Sequence, residues 1–213
     1  EMCIRDSNNI AIGYQALTDN TTGTQNVAIG AYTASSITTG SYNTVVGYSA
    51  LGTATTASNL TAFGFRALGA NTSGAANDAF GYNSLRLNTT GNYNVAMGNS
   101  ALYSNTTGQK SVAIGYYALL NATTGGNNTA VGYQALDSVT DGHDNTGVGR
   151  DVLSAVTTGE KNTALASAGQ AITTGQNNMC LGYNAGSSAA PSGQITTGNN
   201  TICLGDNGIS NLY

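Results

Sequence analysis

The chain has 213 residues, a formal net charge of −4 and only 8% charged residues, against about 25% in a typical soluble domain. Its 6 Lys and Arg residues are too few to neutralise a nucleic-acid backbone, and no apolar run approaches the ~20 residues of a membrane span. The 29 Gly have no three-residue period and accompany a single Pro, which excludes collagen, while regularly spaced hydrophobic residues at 40% argue against disorder. We therefore expect no nucleic-acid binding and no membrane insertion.

The first seven residues fit nothing that follows them. Residues 2–6, Met-Cys-Ile-Arg-Asp, back-translate to ATG TGT ATA AGA GAC, which resembles a transposon end used to prepare sequencing libraries. We therefore predict that residues 1–7 are adapter-derived and that the true amino terminus is missing; a disordered tail is the alternative. Residues 8–213 are predicted to form one repeat domain.

A repeat of 17 residues organises the rest of the chain. Each copy reads Asn, β-branched, Ala, Ile/Val/Phe, Gly, Tyr, any, Ala, Leu, and most copies close on Thr-Thr-Gly. The copy from Asn162 is one residue short, and an insertion near residues 186–195 surrounds Pro191. Nine glycines recur at a constant step: Gly13, Gly30, Gly47, Gly64, Gly81, Gly98, Gly115, Gly132 and Gly149.

This short period predicts an all-β fold, a parallel β-solenoid (β-roll) of about twelve coils of 17 residues. The segment around Val112-Ala113-Ile114 supplies strand formers, and Gly and Asn tolerate the left-handed backbone of sharp corners. We expect two short strands and two turns per coil, with coils hydrogen-bonded at a spacing of about 4.8 Å.

Both faces of the predicted strand are apolar. Ala and Ile are adjacent in each copy and point to opposite sides, although a free-standing coil needs only one apolar face. The second face predicts self-association into a homotrimer or filament. A wider monomeric coil that closes over both faces is the alternative.

The unit Asn128-Thr129-Ala130-Val131-Gly132-Tyr133-Gln134-Ala135-Leu136 resembles the repeat of phage tail-fibre-type proteins and bacterial surface proteins, and Val112-Ala113-Ile114-Gly115 resembles the head repeat of trimeric autotransporter adhesins. The resemblance covers residues 8–205. It implies an extracellular, cell-surface or virion location and a left-handed β-roll trimer that binds host matrix or cells. The segment from Cys203 to Tyr213 is similar to one that precedes a self-cleaving chaperone domain in some tail fibres. The resemblance thus implies a structural fibre shaft or surface-attachment protein.

Residues that could support catalysis are sparse. The single His, His143, lies in a predicted turn with Asp141 and Asp144, where a tight metal site would need three or four converging ligands. Asp144 and Glu160 could approach across coils as a carboxylate pair, which makes a polysaccharide-cleaving tail spike the alternative function. Nothing apolar surrounds them to raise a pKa, so we predict no enzyme activity, no metal and no cofactor.

A partial aromatic row follows the glycine. Such a row packs between coils or stacks against sugar rings, and the second use suits a fibre that contacts a cell-surface glycan or receptor. The predicted glycan contacts are Tyr14, Tyr48, Tyr82, Tyr116 and Tyr133.

Two further sets of polar residues recur. Four glycosylation sequons share one repeat position and predict possible glycosylation at Asn20, Asn71, Asn88 and Asn105. A second column is predicted to be structural, with stacked amides that hydrogen-bond along the axis: Asn9, Asn26, Asn43, Asn77, Asn94, Asn128, Asn145 and Asn162. Rows of Thr make an ice-binding solenoid a further alternative, although only one Thr of each pair faces outwards.

Two cysteines occupy the Ala position of successive coils. Cys180 and Cys203 are predicted to be buried free thiols that behave as small apolar groups, with a disulfide as the alternative reading.

Overall fold

A computed structural model describes residues 8–187 and 194–205, together with the backbone of residues 2–5. Over these residues the chain forms one 13-stranded sheet whose strands follow each other in sequence order. The fold is an all-β parallel solenoid, as the 17-residue period predicts. The strands are β1 Met2–Arg5, β2 Asn9–Ile12, β3 Val27–Ile29, β4 Thr44–Val46, β5 Thr61–Phe63, β6 Asp78–Phe80, β7 Val95–Met97, β8 Val112–Ile114, β9 Thr129–Val131, β10 Thr146–Val148, β11 Thr163–Leu165, β12 Met179–Leu181 and β13 Ile202–Leu204.

Equivalent residues of successive copies stack directly over one another. In β9 and β10, Ala130 pairs with Gly147 and Val131 pairs with Val148. The register survives the insertion, because Cys180 of β12 still pairs with Cys203 of β13. The insertion therefore does not shift the register between these two strands, and residues 188–193 lie outside the described part of the chain.

In the described part of the chain, each coil contains one short strand and not the two that we expected. After the strand and its glycine, the backbone of Gln134 and Leu136 is left-handed, with φ of 50° and 54°. A left-handed residue interrupts a regular strand, yet Leu136 N still donates to Val152 O of the next coil at 2.9 Å. Coil-to-coil hydrogen bonding and burial of the leucine hold non-glycine residues in a conformation that normally costs ~1–2 kcal/mol.

The recurring glycine is required where two coils approach. At Gly132 the backbone has φ of +137°, and a Cβ atom would collide with the carbonyl oxygen of Gly149 in the next coil. A side chain at Gly132 is therefore excluded both by conformation and by space, whereas the equivalent Ala166 of the shorter copy adopts a different φ, 65°.

The core is thin and lies between the Ala position of the strand and a column of leucines. Leu119 and Leu136 are fully buried, as are Ala113 and Ala130. In one coil Gly147 replaces the Ala, and a Cβ there would lie 2.9 Å from Cγ1 of Val152. Since most other coils carry the smaller Ala where Val152 stands, the larger valine fills the space that the missing methyl leaves.

The amino-terminal segment takes part in the sheet. The backbone of β1 runs antiparallel to β2, with Cys3 opposite Ala11. Residues 2–5, which we expected to stand outside the fold, therefore pair with the edge of the solenoid, and the adapter origin of residues 1–7 stays a prediction.

Candidate functional site

The sheet has a largely apolar face, with threonines at some positions, that no part of the described chain covers. We call it the outer sheet face: the side chains at the first and third positions of β3–β13 and at Ile10 and Ile12 of β2. Asp78 is its single charged side chain among these strands. The more exposed members retain between 37% and 67% of their accessible surface: Ile10, Ile12, Ile29, Phe63, Met97, Val148, Leu165, Met179, Ile202 and Leu204.

The described residues do not form the wider coil of the alternative, and the oligomeric state of the chain stays a prediction. That alternative needs the coil to close over both apolar faces, and the coil encloses only the Ala side of the strand. Twelve strands about 4.8 Å apart and three residues wide give the outer sheet face a projected area of about 500 Å². A monomer rarely exposes a larger apolar patch than this unless the patch has a partner.

The aromatic row has the stacked geometry that the repeat predicts, and its rings are exposed to solvent. Tyr48 stacks on Phe65 with ring centroids 5.6 Å apart, and Tyr116 stacks on Tyr133 at 5.6 Å. A hydrogen bond with Tyr117 raises the pKa of Tyr116 above its ordinary value. The five predicted glycan contacts keep 42–63% of their surface exposed: Tyr14, Tyr48, Tyr82, Tyr116 and Tyr133.

The four sequon asparagines do not form a surface row. Asn71, Asn88 and Asn105 are at most 1% exposed, and Asn20 is half-buried. Each of the three buried amides donates to a glycine carbonyl three residues along, and Asn88 Nδ2 also donates to Asn71 Oδ1 at 2.7 Å. A glycan on any of these three would have to draw the side chain out of the core, so the folded coil disfavours modification there. The same repeat position holds apolar residues in other coils, which is the sequence signal for an interior position: Ile37, Ala54, Ala122, Val139 and Val156.

The second asparagine column is structural, as predicted. Asn145 accepts from the backbone N–H of Asn162 at 3.0 Å and from its Nδ2 at 3.1 Å. Asn145 Nδ2 donates to Gly159 O at 2.8 Å. These amides therefore tie each coil to the next inside the core.

The histidine corner brings three of the predicted polar residues together. His143 Nδ1 lies 2.9 Å from Asp144 Oδ2, and His143 Nε2 lies 3.0 Å from Glu160 Oε1 of the next coil. Both carboxylates therefore have an imidazole partner, and both are partly exposed to water. Within residues 8–187 and 194–205, no three His, Cys, Asp or Glu side chains converge as metal ligands would.

The threonine rows and the cysteines serve contacts between coils. Thr106 Oγ1 donates to Thr123 O of the next coil at 3.1 Å, so one hydroxyl of each pair is already bonded. Cys180 and Cys203 are buried thiols that are not joined in a disulfide, which confirms that prediction. Burial, with a smaller contribution from Cys203, raises the pKa of Cys180 to about 12.

A groove that the sequence reasoning missed lies beside the aromatic row. It has a volume of about 400 Å³. Its lining residues are Tyr32, Ser35, Tyr48, Ser49, Gly52, Thr53, Arg66, Gly69 and Arg86. The repeat does contain a sequence signal for this groove. Two consecutive coils carry Gly at a position where the neighbouring coils carry Ser35 and Arg86.

Comparisons with known proteins give no relative: no family model, no curated protein and no solved structure matches the chain. The described residues include no helix with the length and apolar character needed to cross a bilayer. The outer sheet face and the groove are the two features of the described residues from which we infer function.

Proposed function

We propose that this protein is the shaft of an extracellular fibre, in which identical chains assemble through the outer sheet face and attach to a surface. The single observation that carries the proposal is the nearly uncharged outer sheet face along the described solenoid. Its third positions are apolar in every strand from β3 to β13, and its first positions are apolar or threonine in all of them except β6. Depletion of charge is what distinguishes the centre of a protein interface from ordinary surface.

A second copy of the same chain is the partner that this face fits best. Its side chains recur at the coil spacing, about 4.8 Å, so only a partner with the same spacing meets every row. The projected face of about 500 Å² approaches the ~800 Å² that each partner gives to a stable interface. Three chains about a common axis would cover all the faces in a closed assembly, which is the state that the adhesin resemblance implies.

Surface attachment is assigned to the side of the coil that carries the aromatic row. Tyr116 and Tyr133 present stacked rings and hydroxyls to water, and such rings bind the apolar faces of sugars. We propose no catalytic step, because both carboxylates of the histidine corner already pair with His143.

The oligomeric mass of the full chain in solution tests the proposal. We expect three chains by light scattering coupled to size-exclusion chromatography. Ile114→Asp combined with Val131→Asp places two charges on neighbouring rows of the outer sheet face and should give monomers that keep their β-sheet circular dichroism.

A matched control places a charge elsewhere on the coil. Thr107 is exposed at a position where another coil carries Asp141, so Thr107→Asp should fold and assemble as the wild type does. A wild-type chain that is monomeric at every concentration tested would overturn the assembly proposal.

A further inference from the structure

The groove beside the aromatic row exists because two adjacent coils lack a side chain at one repeat position. Gly52 and Gly69 occupy that position in successive coils. A Cβ at Gly52 would have no neighbour closer than 3.5 Å, so the space above it is open. Other coils fill this position: Thr18, Ser35, Arg86, Tyr103, Leu120, Asp137 and Ser154.

Two arginines give this groove a positive charge. Arg66 and Arg86 both line it, and neither forms an ion pair with any described residue. The guanidinium of Arg66 lies 5.1 Å from the centre of the Phe65 ring, which holds it beside the groove. No acidic residue lines the groove. Most of the described carboxylates lie in distant coils: Asp137, Asp141, Asp144, Asp151 and Glu160.

The rest of the groove wall carries aromatic rings and side-chain hydroxyl groups. Tyr32 and Tyr48 meet edge to face with centroids 5.7 Å apart. Ser35, Ser49 and Thr53 complete the lining. Rings that stack on a sugar face, hydroxyls that bond to sugar hydroxyls and guanidinium groups that bind an anion in two-point fashion thus occur together.

We infer that this groove binds an anionic saccharide, one that carries a carboxylate or a sulfate. This assignment rests on the attachment role proposed above and names the chemical class of the attached surface. The two arginines hold the acidic group, and Tyr32 and Tyr48 face the sugar ring. The volume of about 400 Å³ falls within the ~300–1,000 Å³ of small-molecule sites.

Titration of the full-length chain with three short oligosaccharides tests the inference by calorimetry: one carboxylated, one sulfated and one neutral. At least one acidic probe should bind, more tightly than the neutral one, and its affinity should fall as salt rises. The comparison of the two acidic probes identifies the preferred anion. Arg66→Gln and Arg86→Gln should each weaken binding about tenfold, in the range of a lost charge-assisted hydrogen bond.

Two variants separate groove binding from general charge and from folding. Gly52→Leu fills the groove without a change of charge, and the same repeat position already holds Leu120, so it should fold and abolish binding. Arg150→Gln removes an arginine that is 70% exposed and pairs with Asp151, and it should bind as the wild type does. The oligomeric mass of every variant is measured in parallel, so loss of binding and loss of assembly are read separately.

Three results would overturn the inference. They are equal affinity for the neutral probe, unchanged affinity in Gly52→Leu, and no binding of either acidic probe. Competition by inorganic sulfate as strong as by the oligosaccharide would overturn the saccharide assignment and leave only an anion site.

Discussion

The two faces of the one sheet have similar chemistry and opposite environments. Ala130 is fully buried, whereas the next residue, Val131, is partly exposed on the outer sheet face. Hydrophobicity alone would place the larger side chain inside. The thin coil reverses this order because the inner position lies beside the leucine column and holds a small side chain, alanine in most coils, with Val45 as the largest one buried there.

The largest expected effect contrasts a charge on the two faces. Ala130→Asp buries a carboxylate without a partner in the core and should prevent folding of the coils around it. Val131→Asp places the same group on the outer sheet face, where β6 already carries Asp78, and should leave the fold intact while it weakens self-association. Circular dichroism and oligomeric mass of the two variants check the contrast; equal loss of structure in both would show that the outer sheet face belongs to the core.

Shortening a side chain on either face of the sheet should have a smaller effect on the free energy of unfolding. Leu119→Ala leaves a cavity in the core and should lower the free energy of unfolding by about 3 kcal/mol. Leu165 is 45% exposed, and Leu165→Ala should cost less than about 1 kcal/mol in the monomeric Ile114→Asp, Val131→Asp background. Urea unfolding of both variants in that background measures the difference, and similar costs would contradict a one-sided core.

Thiol reactivity sharpens the comparison without large changes in stability. With Cys3→Ser and Cys203→Ala, Cys180 is the only thiol, and burial, the principal cause of its raised pKa, should keep it neutral and unreactive towards iodoacetamide at pH 8. The control moves the thiol to the adjacent position on the outer sheet face. A chain with Met179→Cys, Cys180→Ala and Val131→Asp should react readily with iodoacetamide. Equal rates by mass spectrometry would mean that the inner position is open to solvent.

The same thiol predicts a dependence of stability on pH. Its pKa is about 12 in the folded chain and 9.0 as the ordinary value, so the folded chain retains the proton over a range where the unfolded chain loses it. Stability from this group is therefore complete below pH 9 and is lost as pH rises towards 12. Urea midpoints of the wild type and of Cys180→Ala should converge or cross over this range, since only the wild type carries the ionisable group.

The smallest expected effect concerns the buried amides. Asn105 Oδ1 is buried without a hydrogen-bond partner, because the next coil has Ala122 where an asparagine would donate. Ala122→Asn should supply that donor and stabilise the coil by about 1 kcal/mol. An unchanged or lower urea midpoint would show that the extra amide does not fit. Asn88→Ala, which removes a partner from the same ladder, should destabilise.

Much of the fold followed from the repeat, and the candidate site followed in part. The constant glycine step predicted the stack, and the aromatic row and the Asn145 ladder have the predicted geometry. The absence of the second predicted strand from the described coils could not be foreseen, because the left-handed backbone of Leu136 depends on hydrogen bonds to the next coil. The sequence analysis did not predict the groove, because a depression forms only where two glycines such as Gly52 and Gly69 stack in successive coils.

The sequence by itself determined that the chain winds once per motif, since one residue type per position at a period of 17 allows only that stacking. Only the tertiary structure decided which positions face inwards. It placed Asn71 and Asn88 in the core despite their polarity, because stacking gives each amide a partner, and it left the outer sheet face open, because a coil this thin encloses one side of a strand only.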